Sequence, residues 1–201
     1  PYLYTREFYL LCRERLSRSG VVCVWLPTNT QYMRVLTRTF VEVFPYSSLW
    51  ICNPGHTVLI GSPREVRISY RHFSAEAARK GVARSLAEVY LSEPETLLST
   101  MLVDDRGLRS WTRGAGLNTD DLPRAEFEAS AGPPLEGNLK GIFARRRNAA
   151  ELVVFDVPPQ QAASARKRLD CLYSAGRSFL DSWTLLRMAY PEWAARAADQ
   201  A

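Results

Sequence analysis

Apolar residues recur at helical spacing from the start of the chain. Phe8, Leu11, Cys12 and Leu16 form a stripe behind Thr5, with Arg6, Glu7, Arg13, Glu14 and Arg15 on the other side and Gly20 as a stop. This spacing predicts a helix capped by Thr5. The run Val21-Val22-Cys23-Val24-Trp25-Leu26 is apolar without alternation, the pattern of a strand covered on both faces, and Pro27 ends it. Met33, Leu36, Phe40 and Val43 then fall on one helical stripe before Pro45. Two β-prone runs follow, Ser47 to Cys52 and Thr57 to Gly61, joined by Asn53-Pro54-Gly55-His56, where Pro then Gly suits a type II turn. A hairpin is predicted there, with Val66 to Ser69 as a further short edge strand. From Ser74 to Thr112 the pattern is helical, punctuated by Pro94 and Gly107. Leu117 to Pro123 reads as a polar turn and Arg124 to Ala129 as an extended segment. The fold class predicted is α/β.

Beyond Pro133-Pro134 the pattern changes. Ala162, Ala165, Leu169, Leu172, Gly176, Phe179, Trp183, Leu186 and Tyr190 alternate steps of three and four, an a/d seam on a long amphipathic helix or on a helical pair bent at Gly176. Two readings are open: the seam packs on the domain or on a helix around Asn138 to Arg147, or it joins two molecules in a homo-oligomer or binds a partner. The predicted organisation is one domain over 1–130, a linker over 131–137 and a helical tail over 138–201.

Composition narrows the function classes. Of the 201 residues, 46% are hydrophobic and 23% charged, and the apolar runs are short, so this chain is expected to contain a folded core and no membrane span. The net charge of +5 is mild and calls for no nucleic-acid partner. The densest basic run, Arg145-Arg146-Arg147, has no interleaved aromatics and reads as a solvated helix face. The cysteines show no CxxC spacing, so no metal site is predicted; Cys23 and Cys52, in apolar strands, read as buried, reduced thiols of a cytoplasmic domain. No GxGxxG or GxxxxGK[ST] occurs, and His56 and His72, the only histidines, have no nucleophile elbow nearby and read as surface residues. Adjacent acids at Asp104-Asp105 and Asp120-Asp121 read first as caps or turns. The chain opens at Pro1-Tyr2-Leu3-Tyr4, structured sequence without a methionine, and is expected to be cut from a longer protein.

Three runs, Leu3-Tyr4-Thr5-Arg6-Glu7-Phe8-Tyr9, Gly20 to Pro27 and Thr39 to Pro45, together with Trp50 to Ser62 and Asn118-Thr119-Asp120-Asp121-Leu122-Pro123-Arg124-Ala125-Glu126-Phe127, resemble the second half of the spermidine synthase (polyamine aminopropyltransferase) family. The similarity is greatest to long bacterial forms in which a transporter-like membrane segment lies upstream. The resemblance implies the C-terminal half of a Rossmann-like methyltransferase-type fold: the last parallel strand and a terminal antiparallel hairpin, followed by helices. One edge of the Val21–Leu26 strand would then lack its neighbour. It further implies transfer of an aminopropyl group from decarboxylated S-adenosylmethionine, as co-substrate, to a polyamine. The glycine-rich turn, the nucleoside-binding acid and the aspartate base would lie upstream of Pro1, so this chain would hold no catalytic or cofactor-binding residue and would not act alone. Membrane tethering would likewise depend on the upstream part.

On this resemblance the substrate-binding residues here are Asn118, Asp120 and Asp121 at the pocket rim, with Trp25 as an aromatic wall for a cation; Trp25 is equally readable as a core residue at a strand end. Two positions depart from the family. Val24 stands where many members carry a glutamine, and Leu117 where a tyrosine is common. Both changes remove hydrogen-bonding capacity for an amine, pointing to an altered acceptor or to lost catalysis. The other readings are a non-catalytic interaction or oligomerisation module with a helical tail, and a methyltransferase using S-adenosylmethionine on the same fold.

Overall fold

The computed structural model describes residues 3–28, 30, 32–53, 55–127 and 135–189, without the side chains of 53, 127, 135–137 and 177–189. Thr5 opens the first helix, α1 (Arg6–Arg15), its hydroxyl accepting the Phe8 N–H at 3.3 Å. The stripe facing the core is shifted from the predicted one: Tyr9 is fully buried and Leu11 is 57% exposed. Tyr9 lies edge-on to Phe40 and Phe44, and an aromatic ring outranks a leucine for that volume.

Strand β1 (Val22–Pro27) leads through α2 (Met33–Val43) into β2 (Tyr46–Asn53) and β3 (His56–Ser62), the predicted hairpin. β3 lies between β1 and β2, antiparallel to both, so β1 and β2 run in the same direction. β5 (Met101–Val103) completes the four-stranded sheet beside β2, leaving β1 at the other edge. The molecule is therefore mixed α/β with a mostly antiparallel sheet.

The contact that seats α2 on the sheet requires glycine. A β-carbon on Gly61 would stand 2.4 Å from Phe40 Cε1 and 2.8 Å from Phe44 Cβ, so only bare backbone lets the Phe40 ring and the start of the Phe44 side chain lie on β3. Leu26, Leu36, Leu49, Leu59 and Val103 fill the space around them.

Several expectations are corrected. β1 is covered on one face only: Leu26 is buried, but Cys23 and Trp25 are exposed, because among the described residues nothing packs over the outer face of this edge strand. Cys52 is exposed as well, so Cys23 and Cys52 are free thiols but not buried ones. The predicted helical stretch from Ser74 to Thr112 is broken by β5, whose three residues are buried and show no alternation; it lies between α5 (Pro94–Leu98) and α6 (Asp105–Thr112). Ile68–Ser69 is a strand, β4, but it pairs in parallel with β6 (Val153–Val154) in a separate two-stranded sheet. Arg124–Phe127 forms a short helix, α7, instead of an extended segment.

The segment after the predicted linker, whose residues 131–134 lie outside those described, packs into the same body. Ile142 of α8 (Leu135–Phe143) joins the first core cluster. A second cluster unites Tyr70 of α3 (Tyr70–Ala77), Leu98, Met101, Val153, and Ala165 and Leu169 of α9 (Pro159–Ala189). The first part of the a/d seam is thus buried within this chain; the side chains of Phe179, Trp183, Leu186 and Tyr190 lie outside the described ones. In this second cluster the Tyr70 hydroxyl donates to the buried Glu95 carboxylate, and burial first, then that bond, pushes the phenol up to about 12.

Arg145-Arg146-Arg147 is a clasp and not a solvated face. Arg145 donates to Gly141 O and Ser110 Oγ, Arg146 donates to Tyr173 O and lies over the Tyr173 ring, and Arg147 pairs with Asp104. Among the described residues no helix is long and apolar enough to cross a membrane.

The Gly61 contact makes a direct prediction. Gly61→Ala destabilises the chain by about 1–3 kcal/mol through overpacking against Phe40, measured as a lower urea midpoint; an unchanged midpoint would show that α2 can yield.

Candidate functional site

The carboxyl ends of β1 and β2 and the start of β3 lie at one end of the sheet. Trp25 stands there, 49% exposed, its ring 5.3 Å from that of His56 across the strand pair. Tyr4 ties this end to the helix start. Its hydroxyl donates to Trp25 O at 3.2 Å, and its carbonyl accepts Asn118 Nδ2 at 3.2 Å. Tyr4 holds φ at 69°, a left-handed conformation costly for a bulky residue and sustained by those two bonds.

Asn118 is 3% exposed and its polar groups are spent on the fold. Its N–H donates to Thr39 Oγ1 at 2.8 Å, its carbonyl accepts Arg6 N at 2.8 Å, and Oδ1 accepts Ala125 N at 3.1 Å. One residue thereby joins α1, α2, the turn and α7. The structure places Asn118 as the clamp under the turn.

Asp120 and Asp121 sit at the exposed tip of that turn, which Thr119 closes by bonding Leu122 with both its hydroxyl and its backbone N–H. The Asp120 N–H donates to Glu7 Oε2 at 3.0 Å. Glu7 therefore joins the acidic group, a residue that sequence reasoning assigned only to the outward face of α1. The signal lay in its position within the first turn after the Thr5 cap, on the helix end that the closing turn must meet. Three carboxylates, Glu7, Asp120 and Asp121, are thus gathered on the helix start that Tyr4 links to Trp25. Chemically this group can attract a cation. Val24 is half-buried against the core and Leu117 half-buried beside Asn118, so neither brings a polar atom to this end.

The other candidates are placed elsewhere. His56 and His72 are both exposed, and the His72 N–H is taken up by the cap Ser69. Asp104 caps α6 through Gly107 N at 2.9 Å. Among the described residues no group of three or more His, Cys, Asp or Glu could hold a metal ion. A cavity of about 550 Å³ lies over the outer face of β2 and β3, lined by Trp50, Ile60, Phe73 and Leu97 with Asp105 and Arg106; none of the predicted residues reaches it.

Compared with protein-family models, with curated proteins and with solved structures, the chain matches none.

The division of labour within the turn is testable. Asn118→Ala leaves Tyr4 O and Ala125 N without their partner and costs about 1–3 kcal/mol, whereas Asp120→Asn changes stability by less than about 0.5 kcal/mol. Urea denaturation of both variants checks this; equal losses would remove the distinction between clamp and tip.

Proposed function

We propose that this chain forms the acceptor-amine end of an aminopropyltransferase resembling the spermidine synthases. In the complete protein an aminopropyl group passes from decarboxylated S-adenosylmethionine to a polyamine. The observation that carries this reading is the tie between Glu7 and the exposed turn of Asp120 and Asp121, at the helix start that Tyr4 links to the Trp25 carbonyl. A polyamine is a chain of cations separated by methylene groups, so gathered carboxylates match its charges.

The sheet supports the Rossmann-like half that the reading needs. β1 and β2 run in one direction, joined through α2, and β3 inserts between them. The outer edge of β1 has no strand beside it among the described residues, which leaves room for the parallel half of such a sheet. That half would bring the glycine-rich turn for the nucleoside and the carboxylate that takes the proton from the attacking amine. Only the unprotonated amine has the electron pair for the carbon next to the sulfonium. The residues here would bind and orient the distal ammonium groups.

With Val24 and Leu117 apolar, recognition rests on charge rather than on directed hydrogen bonds from an amide or a phenol. An acceptor longer than putrescine, or one with more methylene surface, would lose least by this exchange.

The test uses the full-length gene product incubated with decarboxylated S-adenosylmethionine and a panel of polyamines, with methylthioadenosine followed by mass spectrometry. Methylthioadenosine release is expected. No release from folded protein, or S-adenosylhomocysteine formed from S-adenosylmethionine instead, would overturn the reading in favour of the interaction-module or methyltransferase alternatives. In the active protein, Asp120→Asn with Asp121→Asn raises the acceptor KM by about three- to tenfold and leaves kcat within about twofold, since charge attraction acts in ground and transition states alike.

A further inference from the structure

At the opposite end of β1 three arginines line one hollow. Arg13 comes from the last turn of α1, Arg18 from the turn that follows it, and Arg64 from the segment after β3; with Ser17, Leu16 and Pro63 they line a shallow hollow of about 660 Å³. No carboxylate lines it. Among the described residues none of the three guanidinium groups has a hydrogen-bond or ion-pair partner, a property they share with Arg15 and Arg106; what sets them apart is that they line one hollow.

The backbone beneath them is held together. Ser62, 3% exposed, donates its hydroxyl to Gly20 O at 3.3 Å and accepts the Arg64 N–H at 3.2 Å, so the strand end carrying Arg64 is tied to the turn carrying Arg18. Gly20 N donates back to Ser17 O at 3.0 Å, which closes that turn. Arg13 offsets the dipole at the end of α1, but Arg18 and Arg64 belong to no helix, so the dipole does not account for their place in the hollow. Three like charges brought together repel one another unless an anion lies between them.

We propose that this hollow binds phosphate groups. A guanidinium presents paired N–H donors that match phosphate oxygens, and three of them suit a group carrying two or more charges better than a single carboxylate. The Ser17 hydroxyl adds a neutral donor at the wall, while Leu16 and Pro63 offer apolar surface beside it. The same chemistry serves a soluble phosphorylated compound or the headgroup of an anionic phospholipid. This site is separate from the acidic end of the sheet and does not depend on the aminopropyltransferase reading.

Titration calorimetry of the intact chain with inorganic pyrophosphate at low ionic strength, and co-sedimentation with vesicles of phosphatidylglycerol and phosphatidylcholine, separate the two sources. Saturable binding in at least one arm is expected, weakened by added salt and reduced at least about tenfold in the Arg13→Gln, Arg18→Gln, Arg64→Gln variant. Arg84→Gln, on an exposed arginine of the helix Lys80–Glu88, serves as the control and leaves binding unchanged. Pyrophosphate binding alone assigns a soluble ligand, and vesicle binding alone a lipid surface. Absence of binding in both arms, or equal loss in the triple variant and the control, would overturn the site.

Discussion

The ring of Phe40 and the β-carbon of Phe44 lie directly on the backbone of Gly61, and this close approach fixes how α2 meets the sheet. β3 is the strand it rests on, and β3 is bonded on both sides. Tyr9 of α1 packs edge-on against the rings of the same two residues. The position of α1 therefore follows from that of α2, and α1 carries Thr5, Glu7 and, just before it, Tyr4. The acidic end of the molecule is held in place by apolar packing several residues away. Few of its own polar bonds would suffice to hold it.

Polar groups finish what packing begins. Asn118 binds α1, α2, the closing turn and α7 at one point, and the Arg145–Arg147 clasp binds α8, α9 and α6 on the other side. The two networks have different consequences for function. Because the Arg145–Arg147 side chains donate to carbonyls, a hydroxyl and a carboxylate of the chain, their charge is not offered to a ligand. Arg13, Arg18 and Arg64, dispersed in sequence, remain free to do so. The densest basic run is thus structural, and three scattered arginines make the basic hollow.

Elements with strong local signals were legible in the sequence. The Thr5 cap, the α2 stripe and the Asn53–His56 hairpin need only periodicity and turn chemistry, and all three appear in the structure. β5 was hidden, because Met101-Leu102-Val103 is too short and too uniformly buried to show a period of two and sits between helices with similar apolar content. The one-sided burial of β1 was also hidden: a continuous apolar run cannot reveal that a covering face is absent. At the candidate site, Asp120, Asp121 and Trp25 were named from the sequence, while Glu7 and Tyr4 were not. Their part depends on a contact across more than a hundred residues.

Among the described residues no strand lies beside the outer edge of β1, where the Trp25 carbonyl accepts the Tyr4 hydroxyl. Backbone groups alternate along a strand, and Leu26 O and Gly20 O, which accept from Thr57 and Ser62, show that even-numbered residues face β3. The amides of Cys23 and Trp25 then face the outer edge. Residue-resolved hydrogen exchange by NMR tests this most directly. The account predicts slow exchange at Val22, Val24, Leu26 and throughout Thr57–Ile60, with fast exchange at Cys23 and Trp25. Uniformly slow exchange along β1 in the monomeric chain would contradict it, because the edge proposed to receive the other half of the sheet would already be occupied.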